Sequence, residues 1–154
     1  MTNLKCLYLQ ENLIITIEGL DTLTELANLN LSDNMIERVS GLDKLAKLSN
    51  LQLKRNRIGL DGLEDVTGLL DCPNVSALDI SDNKIEDEAF LPEVLMKLPN
   101  IAVVYMQNND FTKKISHYRK AIISKIPTIK YIDDKPVFED EHRYALAWAR
   151  GGLE

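Results

Sequence analysis

Apolar residues recur along this chain at a spacing that fits neither one long helix nor one long strand. Leu4-x-x-Leu7-x-Leu9 is followed by Asn12 and Ile14. The arrangement returns 22 residues on as Leu26, Leu29, Leu31, Asn34 and Ile36, and after another 22 as Leu48, Leu51, Leu53, Asn56 and Ile58. A step of 27 brings Val75, Leu78, Ile80, Asn83 and Ile85, and a step of 26 brings Ile101, Val104, Met106, Asn109 and Phe111. A partial copy opens at Ile129 and Ile132. Within each copy the Leu-x-Leu alternation has period two, which predicts a short strand with one buried face. One such strand cannot bury its leucines alone. Copies stacked at ~4.8 Å form a parallel sheet over a shared aliphatic interior.

The other slots have physical readings too. Asn12, Asn34, Asn56, Asn83 and Asn109 fall where the chain leaves the strand and turns inward. There an amide side chain can bond backbone groups that burial would leave unpaired, so these five predict a structural ladder and not a reactive site. Ile17, Leu20 and Leu23, then Val39, Leu42 and Leu45, recur every three residues, as in tight 3₁₀ turns. Later copies carry insertions, and Phe90, Leu91, Val94, Leu95 and Leu98 fall at helical spacing before Pro99. The pattern resembles the leucine-rich repeat. The expected fold is an α/β, right-handed solenoid with a parallel concave sheet, a convex side changing midway from 3₁₀ turns to true helices, and a C-terminal helical cap.

We expect five full repeats over residues 1–128 and a cap over 129–154. His117-Tyr118-Arg119-Lys120-Ala121-Ile122-Ile123 reads as an amphipathic helix. Ile129 to Asp134 starts a strand but places Asp134 in an apolar slot, so the stack should end on a polar group. A last helix is expected from Glu141 to Arg150, opened by Glu139 or Asp140 and stopped at Gly151-Gly152. Tyr144 and Trp148 lie one turn apart on it and should fold back over the final repeat, giving Tyr118, Asp134 and Trp148 as cap residues. At the other end Leu4 comes almost at once, so either a partner covers that end or, as the stop at Glu154 also suggests, the chain is part of a longer array.

Composition narrows the function classes. Aliphatic residues dominate a hydrophobic fraction of 45%, with aromatics at only 6%. A net charge of −6 and a pI near 5.0 give no support for nucleic-acid binding. No apolar run approaches a membrane span, and no signal-peptide pattern opens the chain. Cys6 and Cys72 would sit about three turns apart, too far to pair, and are expected as reduced thiols. His117 and His142 have no metal-ligand spacing around them, the seven glycines form no phosphate loop, and Ser-Asp-Asn at Ser32 and Ser81 is imposed by the repeat. Asp133 and Asp134, adjacent on a strand, should face opposite ways and hold no metal. We expect no enzyme and no cofactor.

A binding module remains, and the concave columns are its candidate surface. One column reads Tyr8, Asn30, Gln52, Asp79, Tyr105 and Asp133, and the next Gln10, Ser32, Lys54, Ser81 and Gln107. Beside them run Glu11, Asp33, Arg55, Asp82 and Asn108. Amides, two tyrosines and the Lys54-Arg55 pair set this face apart from an inert Lys/Glu surface, and Tyr and Arg are enriched in binding hot spots. Tyr8, Gln10, Asn30, Gln52, Lys54, Arg55, Asp79, Tyr105 and Gln107 are the candidate partner-binding residues, with Tyr8, Tyr105 and Arg55 foremost. A monomer is expected.

The chain's ending carries a more selective likeness. Tyr131-Ile132-Asp133-Asp134-Lys135-Pro136-Val137-Phe138 and Ala145-Leu146-Ala147-Trp148-Ala149-Arg150-Gly151-Gly152 resemble the cap of the dynein axonemal assembly factor 1 family. The opening Thr2-Asn3-Leu4-Lys5-Cys6-Leu7-Tyr8-Leu9-Gln10 and the His117-Tyr118-Arg119 step are similar to that family as well. The chain departs from it at Asn109-Asp110, where Asn-Pro is usual, and at His117, where Asn is usual. The resemblance implies a cytoplasmic factor that helps preassemble dynein arms of cilia or flagella, with dynein subunits, chaperones or co-assembly factors as partners. It also implies further repeats upstream and a charged helical tail downstream. Two alternatives are a protein phosphatase-1 regulatory-subunit-like repeat protein, whose relatives share 22-residue repeats but lack the Ala-Trp-Ala-Arg-Gly-Gly ending, and a spliceosomal repeat protein that grips an RNA-binding partner.

Overall fold

The computed structural model describes residues 3–151, so Thr2 of the opening run and Gly152 and Glu154 of the ending lie outside the described residues. Each copy of the template contributes a short strand: β1 (Cys6–Tyr8), β2 (Asn28–Asn30), β3 (Asn50–Gln52), β4 (Ala77–Asp79), β5 (Val103–Tyr105) and β6 (Tyr131–Ile132). They pair in sequence order and in parallel. The register sets template on template, so Leu7, Leu29, Leu51, Leu78, Val104 and Ile132 form one column. From Leu29 to Ile132 that column is buried, and it belongs to a single aliphatic core running the length of the stack. Each such leucine contributes roughly 1.5–3 kcal/mol by leaving water. The first turn is the exception: among the described residues it is covered by a neighbouring turn on one side, and Leu4, Leu7, Leu9 and Ile14 are partly buried.

The convex side matures more gradually than the spacing predicts. Repeats one and two carry isolated 3₁₀-type bonds, Leu23 N–H to Leu20 C=O (3.0 Å) and Leu45 N–H to Leu42 C=O (3.0 Å), without a continuous 3₁₀ segment. The third has 3₁₀ segments at Leu63–Asp65 and Thr67–Asp71. The expected helix in the fourth is broken: α1 (Phe90–Glu93) ends at Val94 and a 3₁₀ turn, Leu95–Lys97, follows. Pro92 in α1 supplies no N–H, which limits what a short helix there can close. Phe90 and Phe111 both enter the core, with ring centroids 5.1 Å apart. After the single turn α2 (Phe111–Lys114), a two-turn helix appears only in the fifth repeat, as α3 (Tyr118–Lys125). His117 precedes it in the left-handed region, at φ 51°, and is not part of the helix.

The cap differs from expectation in an informative way. Asp133 and Asp134 do not continue a strand. Both have positive φ, 45° and 70°, and form a two-residue hairpin turn into β7 (Lys135–Pro136), antiparallel to β6. Asp134 is therefore an exposed turn residue and not the polar end of the stack, and Asp133 is not a member of the concave column. Along the sheet, Leu9, Leu31, Leu53 and Ile80 each donate their N–H to a carbonyl of the next turn, at 2.7–2.9 Å. Met106 would need the same from a further strand. The Asp133 carboxylate supplies it, accepting the Met106 N–H at 2.7 Å through Oδ1 and the Tyr118 hydroxyl at 2.9 Å through Oδ2. Burial, then the Asp133 carboxylate, pushes the Tyr118 phenol above its ordinary range. Asp133→Ala should cost about 1–2 kcal/mol by leaving two donors short of an acceptor, whereas Asp134→Ala should leave the melting curve close to wild type apart from the turn.

Helix α4 spans Glu139–Ala149, so Glu139 and Asp140 lie inside its first turn and the capping position is Phe138. Its acidic first turn suits the positive end of the helix dipole. Arg119 ties α3 to this region, donating from Nε and Nη2 to the two carboxylate oxygens of Glu141 (2.6 and 2.9 Å), from Nη1 to the Ile132 carbonyl and from Nη2 to the Pro136 carbonyl. That hydrogen bond holds the Glu141 carboxyl below its usual range. Only part of the predicted fold-back occurs. Ala145 is buried and Trp148 meets the His117 ring edge-on at 5.4 Å, but Tyr144 stands in solvent at 69% exposure.

Candidate partner-binding face

The ladder asparagines decide which way the neighbouring side chains face. Asn34, Asn56 and Asn83 each donate to one carbonyl of the preceding turn and two of their own, and accept the N–H of Ile14, Ile36 or Ile58. Asn109 follows with Ile80 and Met106 carbonyls and the Ile85 N–H. Asn12 bonds only Leu9 and Gln10 of its own turn and is exposed. To bring each amide inward, the preceding residue takes a left-handed conformation: Glu11, Asp33, Arg55, Asp82 and Asn108 all lie at φ 55–62°. Asp and Asn tolerate that region best, so Glu11 and Arg55 are the costlier occupants.

Two strand positions per turn point away from the core. One is the column read from the sequence: Tyr8 at 64% exposure, then the half-buried Asn30, Gln52, Asp79 and Tyr105. The other, Cys6, Asn28, Asn50, Ala77, Val103 and Tyr131, was missed, although the alternation that faced Tyr8 outward faces Cys6 outward as well. Together they grade from amides over β2 and β3 to an apolar and aromatic patch over β4–β6. Tyr105 and Tyr131 pack with centroids 5.9 Å apart. Beside them a shallow depression of about 250 Å³ is lined by Asn50, Gln52, Ala77, Asp79 and Val103. Desolvation, with Tyr131 and the carboxylates of Asp134 and Asp79 adding to it, raises the Tyr105 phenol above its ordinary value.

Several predicted residues already have internal partners. Asn30 Oδ1 accepts the Ser32 N–H, and Asp79 Oδ1 accepts both the N–H (3.0 Å) and the hydroxyl (2.6 Å) of Ser81. Arg55 bonds both oxygens of Asp33, which keeps that carboxyl below the usual range, and Asn108 donates to Asp82 at 2.7 Å. Ser32 and Ser81 are buried, Gln10 is exposed and Lys54 half-buried. Gln107 is half-buried too, and its Oε1 is shielded from solvent without a hydrogen-bond partner among the described residues.

The thiols do not pair. Cys6 is exposed and Cys72 buried, and burial pushes the Cys72 thiol up to about 11. Among the described residues no group of three or more His, Cys, Asp or Glu side chains converges so as to hold a metal ion, and no helix is long and apolar enough to cross a membrane.

A ladder of buried asparagines beneath a stack of three-residue parallel strands defines the class. The leucine-rich-repeat family model matches residues 5–151, and the chain belongs to that family. The likeness to dynein axonemal assembly factor 1 expected from the sequence is present as well. The chain is 36% identical over 92 residues to the leucine-rich repeat-containing protein ODA7 of Chlamydomonas reinhardtii, a match covering 60% of this chain and 21% of that protein. It is 38% identical over 88 residues to human dynein axonemal assembly factor 1, covering 57% of this chain and 12% of that protein. These matches thus span about a fifth or less of the curated relatives. Among solved structures, the Drosophila melanogaster SNF/U2A' complex has a chain with TM-score 0.80 and 23% identity, covering 94% of this chain and 81% of that one. An internalin C2 of Listeria monocytogenes follows at TM-score 0.62 and 28% identity, covering 91% and 57%. The first of these likenesses concerns the fold alone.

Proposed function

We propose that this chain is a non-catalytic protein-binding module of a cytoplasmic factor that assembles axonemal dynein arms for cilia or flagella. Its repeats, residues 1–128, present the concave face, and residues 129–154 close the stack. The face captures its partner as a monomer through Tyr8, Gln10, Asn30, Gln52, Lys54, Arg55, Asp79, Tyr105 and Gln107. Dynein subunits, chaperones or co-assembly factors are the partners, without nucleic acid, membrane or cofactor. One observation carries the reading: the chain matches proteins named as dynein axonemal assembly factors over more than half its length, and its concave sheet sets the exposed Tyr8 beside half-buried amides and Tyr105. Rigid aromatic anchors beside amides suit protein recognition, because little side-chain freedom is lost on binding.

Tyr105→Ala with Arg55→Ala should reduce capture of axonemal dynein subunits or their chaperones from ciliated-cell extract by about tenfold or more, as loss of one hot-spot residue implies. Quantitative mass spectrometry of the captured proteins, beside melting curves of both forms, checks this. Undiminished capture with an unchanged melting curve contradicts it.

A further inference from the structure

The insertions that lengthen the third and fourth repeats build a second surface, lined by none of the concave columns. Two adjoining depressions of about 500 and 540 Å³ share Asp87, Glu88 and Lys114. Leu60 stands at one end of this groove, and Leu91, Pro92 and Ile115 form its apolar part.

The loop that presents Leu60 is pinned from both sides. Gly59 and Gly62 turn it with φ of 107° and 106°. Asp65, 1% exposed, accepts the N–H groups of Gly59 (3.1 Å) and Asp61 (3.0 Å) through Oδ2, while its Oδ1 takes Arg38 Nε of the second repeat at 3.4 Å. A Cβ on Gly59 would stand 2.7 Å from the Ile85 backbone, so the loop lies directly on the fourth repeat. What this fixed turn lifts into water is a leucine at 61% exposure. An apolar side chain held out on a rigid loop loses little freedom when it is covered. The wall beside it carries three carboxylates, Glu86, Asp87 and Glu88, against the single ammonium of Lys114.

We infer that this groove docks a basic segment of a partner protein. One apolar side chain of that segment packs on Leu60 and a second on Leu91, Pro92 and Ile115, while its lysines or arginines meet Glu86, Asp87 and Glu88. Acidic walls select and orient the segment, and the apolar floor retains it.

The test uses the whole chain and a short capped peptide of repeating Lys-Arg-Leu units, followed by amide chemical shifts in NMR. Shifts centred on Leu60, Glu86 to Ala89 and Ile115 are expected. Leu60→Ser, at an exposed position, should weaken binding about tenfold, as should replacing the peptide's leucines with serine. Glu86→Gln with Glu88→Gln should weaken it similarly and flatten its salt dependence. Asp87 is left intact because it caps the Ala89 N–H. Tyr105→Ala should change nothing here, which separates this groove from the concave face. Shifts spread evenly over the acidic surface, or gathered on Tyr105 and Gln52, overturn the inference. So does an unchanged affinity in either Leu60→Ser or the double glutamine variant.

Discussion

Asn56→Ala should lower stability by about 3 kcal/mol, while Asn12→Ala should cost less than about 0.5 kcal/mol, although both remove the same side chain from the same slot. The difference is burial and position. Asn56, 6% exposed, donates to the Leu31 and Leu53 carbonyls at 3.0 Å and accepts the Ile36 N–H at 3.0 Å, linking two turns in the core. Its loss leaves several groups desolvated and unpaired at once. Asn12 reaches only its own turn and has water as an alternative. Asn56→Asp should fare no better than alanine, because a carboxylate can accept from Ile36 but donates nothing to the carbonyls. Denaturant titration of the three variants measures this directly. Equal costs at the two asparagines would contradict the ladder.

Gly68→Ala should be at least as damaging, at about 3 kcal/mol, or a fall in Tm of roughly 10 °C for a chain of this size. Gly68 lies in the Thr67–Asp71 3₁₀ segment, where the third repeat presses against the second. A Cβ there would stand 1.9 Å from the Val39 carbonyl oxygen and 2.7 Å from its carbon. Backbone cannot swing aside as a side-chain end can, so adjacent turns must separate. Thr67→Ala, one residue away and exposed, is the control and should melt near wild type. A Gly68→Ala variant with wild-type Tm would mean the turns are not packed this closely.

The strand stack was legible because one rule repeats: alternation fixes the buried face, and the Asn slot marks the exit from each strand. What local spacing could not supply was anything set by a neighbouring turn. Asp133 looked like a strand residue because Ile129 and Ile132 keep the template. Its role as a substitute acceptor for Met106 follows from the turn after β6, where among the described residues no further parallel strand offers Met106 a carbonyl. The convex wall was overread for a similar reason, since helical spacing from Phe90 to Leu98 says nothing about the break at Val94. At the candidate face, period two turns Tyr8 and Tyr105 away from the core, and the same alternation turns out the Cys6-to-Tyr131 column, which the sequence reading does not single out. The sequence marks Arg55 as a candidate hot spot, and the 22-residue stacking bonds its guanidinium to Asp33, a pairing that local spacing does not reveal.

Partner capture by the concave face is read out by a photo-crosslinking amino acid placed at Tyr105 in one variant and at the convex-side Lys97 in another, each irradiated in ciliated-cell extract. Adducts with dynein subunits or their assembly chaperones are expected from position 105, and few or none from position 97. Adducts with those proteins from position 97 alone would contradict it.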